Sequence, residues 1–153
     1  MRYMESIRQP NSIVLVYLSP PRQSRSDMEN DITELWQLVQ SLGDSQITHI
    51  IRQVGPEHSA TYIGPGKLQE ILTYITHNPT HTILFNGHMK PSQKFAILQN
   101  IWNTHPAIRI WDRIDLILAI FSKHAFTSEA KLQIKLAQMR AMGPRIYGME
   151  VLS

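Results

Sequence analysis

Gly64-Pro65-Gly66-Lys67 is the part of this chain whose residue types and order point most directly to chemistry. Two glycines around a proline, ahead of an apolar-periodic stretch, put free backbone amides and the positive end of a helix dipole at one point, and such a point can hold an anion. A phosphate contact through Gly64, Gly66 and Lys67 is the functional reading; a tight turn that launches a helix uses the same residues and no ligand. Tyr62 precedes that turn, where its ring either contacts a nucleobase or packs inward.

A second set of candidates lies in four short segments, 19–25, 55–60, 86–90 and 112–113, each of which follows an apolar run. They offer Arg22, Arg25, His58, His88, Lys90 and Arg113 against Glu57 and Asp112, a composition suited to phosphate and equally to solvated loop charge. His77 and His81 have the spacing of a helical metal pair, but Asn78-Pro79 breaks the helix that would align them, so no metal site is expected. Asp112 and Asp115 open an apolar stretch, where helix capping accounts for both. No activated nucleophile or credible acid/base pair is present, so no catalytic residue is assigned.

The elements that must position these residues follow from periodicity. The β-branched run Ile13 to Leu18 reads as a buried strand, and Ile47–Val54, Thr82–Phe85 and Ile108–Trp111 as three more. Between them, apolar residues at intervals of three and four predict helices from Asp27, capped by that residue and ended by Gly43, from Pro65 to Asn78-Pro79, and from Pro91 with Phe95, Leu98 and Trp102 buried. Trp36 is also expected in the core. Strands alternating with helices require an α/β fold, a small parallel sheet of about four strands flanked by helices. Two C-terminal helices, 114–121 and 128–142 with Thr127 as cap, close it. In such a sheet ligands approach the carboxyl ends of the strands, which is where the four segments lie.

The 128–142 helix carries two apolar stripes, Leu132, Leu136 and Met139 on one side and Ala130, Ile134, Ala137 and Ala141 nearly opposite. A lone surface helix needs one. The second calls for another partner: a further segment of a longer chain, a second subunit through self-association, or a neighbouring helix.

Composition sets the outer bounds. The 153 residues suit a single domain, hydrophobic residues make up 42%, and the net charge of +3 tilts toward polyanions such as RNA. With no cysteine there is no disulfide, thiol chemistry or thiolate-ligated zinc. No signal-length apolar stretch or membrane span is read, so the expected location is cytoplasmic.

Three segments carry a family resemblance: 60–71 with Gly64-Pro65-Gly66-Lys67-Leu68, the Phe85 to Gln93 turn with Lys90-Pro91-Ser92-Gln93, and Trp111 to Arg145 with Asp112-Arg113, Leu116-Ile117-Leu118-Ala119-Ile120-Phe121 and Glu129-Ala130-Lys131-Leu132-Gln133. Over about residues 60–145 the chain resembles the N-terminal domain of the HflX family of ribosome-associated GTPases. Asn86, Gly87 and His88 stand where that family usually has acidic residues, and Ile114-Asp115 where it has a Thr-Gly pair. The resemblance implies a domain that docks on the ribosome, through ribosomal RNA, beside a GTPase engine used in ribosome rescue or splitting, and nucleotide binding is credited to this domain in some members. The chain stops at Ser153, where the family is expected to continue into a helical hairpin and a GTPase domain.

A P-loop needs G-x-x-x-x-G-K followed by Ser or Thr, and Gly64-Pro65-Gly66-Lys67-Leu68 fails on spacing and hydroxyl alike. No guanine-reading Asn-Lys-x-Asp occurs either. The reading is therefore a non-catalytic binding domain without a cofactor of its own, GTP and Mg²⁺ belonging to a GTPase domain; the alternatives are a nucleotide-binding module or a helix-mediated interaction domain.

Overall fold

The computed structural model describes residues 9–143. Four strands, β1 (Asn11–Ser19), β2 (Ser45–Val54), β3 (Thr82–Phe85) and β4 (Arg109–Trp111), form one parallel sheet in the order β2-β1-β3-β4. The helices are α1 (Arg25–Gln40), α2 (Pro65–His77), α3 (Pro91–Ile101), α4 (Arg113–Lys123) and α5 (Ser128–Met142). The expected α/β fold is the one found.

Side-chain alternation along β1 divides the core in two. Val14, Val16 and Leu18 face α2 and α3, packing with Ile71, Ile75, Ile97 and Ile101, while Ile13, Leu15 and Tyr17 face α1 and α4, packing with Ile32, Leu35, Val39 and Leu116. Because both faces are covered, β1 and β3 are continuous apolar runs rather than alternating ones. β2 lies at the edge, and only Ile47 and Ile51 along it are buried.

Three local expectations are corrected. α1 starts at Arg25 under Ser24, whose Oγ accepts from the amide of Asp27 at 3.1 Å, so Arg25 is the first helical residue and Asp27 is not the cap. Trp36 is 43% exposed, because Ile32, Leu35 and Val39 take the sheet-facing side of α1 and the next residue after Leu35 turns about 100° away. On α3 the fully buried side is Gln93, Lys94, Ile97, Leu98 and Ile101, with Phe95 and Trp102 half-buried at its margin.

Of the two stripes on α5, Leu132 and Leu136 are exposed, at 58% and 38%, whereas Ile134, Ala137 and Ala141 are half-buried. Met142 is the buried residue of this helix. None of the described helices is long and apolar enough to cross a membrane.

Candidate functional site at the carboxyl ends of the strands

The chain leaves β1 toward β2 on one side and reaches β3 on the other, so the strand order reverses between β1 and β3. At this switch point α/β sheets open a crevice. Here Asn86 partly closes it: its Oδ1 accepts from Leu18 N at 2.8 Å and its Nδ2 donates to Leu18 O at 3.0 Å, continuing the β1–β3 ladder with a side chain. β3 is therefore functionally longer than its four residues.

Next to this clasp is a cleft of about 410 Å³ between Pro20-Pro21 and Gly55-Pro56, with Tyr17 and Tyr62 among its lining residues. The Tyr17 hydroxyl donates to Asp31 Oδ2 at 2.7 Å and accepts from Gln23 Nε2 at 3.1 Å. Burial, then the bond to Asp31, raise its pKa. Tyr62 is 4% exposed, sits edge-on to Phe85 with ring centroids 5.7 Å apart, and adopts φ +69°. Burial, reinforced by the charges of Glu57 and Asp112, pushes its hydroxyl up to about 12. Both phenols stay protonated at neutral pH and serve as hydrogen-bonding groups rather than bases. Of the two placements read for Tyr62, the ring takes the inward-packed one, beside the cleft that it helps to line.

The cleft is also less basic than expected. The charged residues lining it are Asp31 and Glu57. Arg113 Nη2 donates to Asp31, Nη1 lies 3.6 Å from Glu34, and Nε donates to the carbonyl of Asn86 at 3.2 Å, so its charge is engaged within the fold. Lys67 pairs with Glu70 at 3.0 Å, one helical turn on. The Gly64 amide donates to Gln53 Oε1 at 3.2 Å, leaving the amides of Gly66 and Lys67 at the open end of α2. The remaining cations, Arg22, Arg25 and Lys90, are exposed and form no ion pair among the described residues. They follow the ends of β1 and β3 and are not among the residues lining the cleft. His77 Nδ1 lies 2.9 Å from Thr73 O and His81 Nδ1 accepts from Ser12 N at 2.9 Å, so each ring is used locally.

Asp112 caps α4, accepting from the amide of Asp115 at 3.1 Å, while Asp115 returns the bond to Asp112 N at 2.9 Å. That capping role was expected. The residue the sequence reading passed over is Lys94, 1% exposed, whose Nζ meets Asp115 at 2.7 Å and Asp112 at 3.6 Å. A lysine beside a glutamine in a helix reads as solvated, and its partner is 21 residues away, so the spacing carried no signal. Burial drives the Asp115 carboxyl up to about 6 against the opposing pull of Lys94.

The family model for the GTP-binding GTPase N-terminal domain matches residues 29–122. GTPase HflX of Flavobacterium psychrophilum is 32% identical over 136 residues, covering 89% of this chain and 32% of the relative. GTPase HflX of Alkalihalophilus pseudofirmus is 31% identical over 147 residues, covering 95% and 33%, and that of Escherichia coli K12 is 33% identical over 120 residues, covering 78% and 27%. The chain thus spans about a third of the length of these relatives. Among solved structures, the complex of SsGBP with GDP superposes with a TM-score of 0.65 at 25% identity, over 90% of this chain and 37% of that one. A GTP-binding protein of Sulfolobus solfataricus in complex with GDP, at 22% identity and a TM-score of 0.62 over 92% and 40%, shares the fold. The chain belongs to the GTP-binding GTPase N-terminal family, the N-terminal domain of the HflX GTPases.

Proposed function

We propose that this chain is the non-catalytic, ribosome-contacting N-terminal domain of an HflX-type GTP-binding protein, meeting ribosomal RNA through phosphate. The observation that carries this reading is the division of charge at the strand ends. Arg22, Arg25 and Lys90 stand exposed on the strand-end rim, while the cleft is lined by Asp31 and Glu57. A nucleotide entering the cleft would bring its phosphates against carboxylates, whereas an extended phosphate backbone crossing the rim meets cations. Gly64, Gly66, Lys67 and Arg113 lie on the same side of the domain; the pairing of Lys67 and Arg113 leaves them secondary contributors. GTP and Mg²⁺ are assigned to a GTPase domain of the kind the full-length relatives' name denotes, because no P-loop or guanine-reading motif occurs here.

The test is binding of a single-stranded ribosomal RNA fragment followed by fluorescence anisotropy across a salt series. Three phosphate contacts give a slope near −2 in log affinity against log salt, from about −0.7 per contact. Replacing Arg22, Arg25 and Lys90 together by Ala should flatten it with the circular dichroism spectrum unchanged. Salt-independent affinity, or affinity untouched by the triple replacement, refutes the reading.

A further inference from the structure

We propose that Lys94 is a latch that holds the C-terminal end of α5 on the α/β body, so that this end of the helix is a separately releasable element. Full burial along α5 is reached only at this end, at Met142. The residues of the helix are exposed or half-buried as far as Ala141, with Leu132 and Leu136 facing outward. At that end three contacts converge. Met142 enters the core shared with α2 and α3, Gly143 approaches Pro91 at the start of α3, and Lys94 Nζ donates to the carbonyl of Ala141 at 3.0 Å.

That carbonyl belongs to the last turn, where helical acceptors lack intrahelical partners and a cation is favoured by the helix dipole. The Gly143 amide closes the turn onto Met139, and Ala141 is left to Lys94. The lysine is held in place from the other side by Asp115 and Asp112, on the β4–α4 junction. One buried ammonium therefore joins the three successive helices α3, α4 and α5, through partners 21 and 47 residues from it.

The cluster is charged in a way that makes the joint conditional. One ammonium faces two buried carboxylates, a net charge of −1, with His88 Nδ1 3.6 Å from Asp112 and the Tyr62 hydroxyl feeling the same charge. Asp112 also accepts from the amide of Met89, which ties the 86–90 strand-end loop to the same group. A buried charge that loses its partner is strongly unfavourable, so Lys94 cannot leave Ala141 without keeping its carboxylates, and α5 is the member free to move.

Amide hydrogen exchange on the full 153-residue chain tests this. Lys94→Met alone strands two carboxylates and is expected to lower overall stability, so the informative variant is Lys94→Met with Asp115→Asn, which removes one of them. Exchange in residues 137–143 should rise at least tenfold while β1 and β3 exchange at the rate of Asp115→Asn alone. Asp115→Asn alone keeps the bond to Ala141 and should leave α5 as protected as in the parent. The proposal is overturned if α5 is unchanged in the double variant, if α5 and the sheet loosen together, or if Asp115→Asn alone releases α5.

Discussion

Arg113 and Asp31 are 82 residues apart and bonded to each other, joining the first turn of α4 to α1 across the end of the sheet. The same carboxylate takes the Tyr17 hydroxyl on its other oxygen. Arg113 is therefore first a structural cation, and Arg113→Ala should cost roughly 1 to 2 kcal/mol, for a charge-assisted bond between partly exposed groups. For a chain of this length that is a fall in melting temperature of about 2–8 °C. The same variant should change the salt slope of RNA binding less than Lys90→Ala does. Equal effects on the slope would mean that Arg113 turns outward to phosphate.

Gly87 is held without a side chain by Tyr62. A β-carbon at Gly87 would lie 2.0 Å from the Tyr62 hydroxyl oxygen and 3.2 Å from the ring carbon bearing it. Since that ring is buried against Phe85, it has little room to retreat. Gly87→Ala should destabilise by about 1–3 kcal/mol through overpacking. Adding Tyr62→Phe removes the closer atom and should recover part of the loss, which a double-mutant cycle in urea would measure. A cycle without coupling would show that the loop moves independently of the ring.

Asp115 sets a pH dependence whose sign is opposite to that of an ordinary surface carboxylate. Its pKa of about 6 in the folded chain lies above the usual 3.8, so between those values the folded state binds more protons than the unfolded. Stability then falls as pH rises through that window, with the loss complete above about pH 6. Asp115→Asn should abolish the slope. Asp44, which Lys123 holds below the usual range, acts with the other sign and only below about pH 4. Urea midpoints from pH 4 to 7 separate the two; a parent chain whose stability rises across pH 4–6 contradicts the assignment.

What could be read from the residues was whatever local chemistry decides. Pro65 and Pro91 at first helical positions and Thr127 as a cap gave helix starts that the fold keeps, because each satisfies or removes an orphan amide regardless of tertiary context. Ser24 was harder, since Ser24-Arg25-Ser26-Asp27 offers several capping side chains in four residues and only the path out of β1 selects among them. The strand-end rim was legible as a place but not as an electrostatic surface. Whether Arg113 and Lys67 are free depends on Asp31, Glu34 and Glu70, and only the last is a sequence neighbour. Lys94 was illegible for the same reason in stronger form.

The exposed side of α5 gives the last prediction. Leu132 and Leu136, four residues apart, form an apolar strip on a helix whose other side, through Ile134, Ala137 and Ala141, already meets the body. An uncovered strip of this kind favours association, and we expect concentration-dependent mass in sedimentation of the isolated chain. Leu132→Gln with Leu136→Gln should abolish that behaviour while changing stability by no more than about 1 kcal/mol, because Leu132 is 58% and Leu136 38% exposed. Ile134→Gln should do the reverse, lowering stability by about 1–2 kcal/mol through an unpaired polar group placed in a half-buried contact, with association retained in whatever remains folded. If instead the double leucine variant unfolds, the strip is covered within the chain; if both variants are neutral and the mass is constant, α5 has no second side to fill.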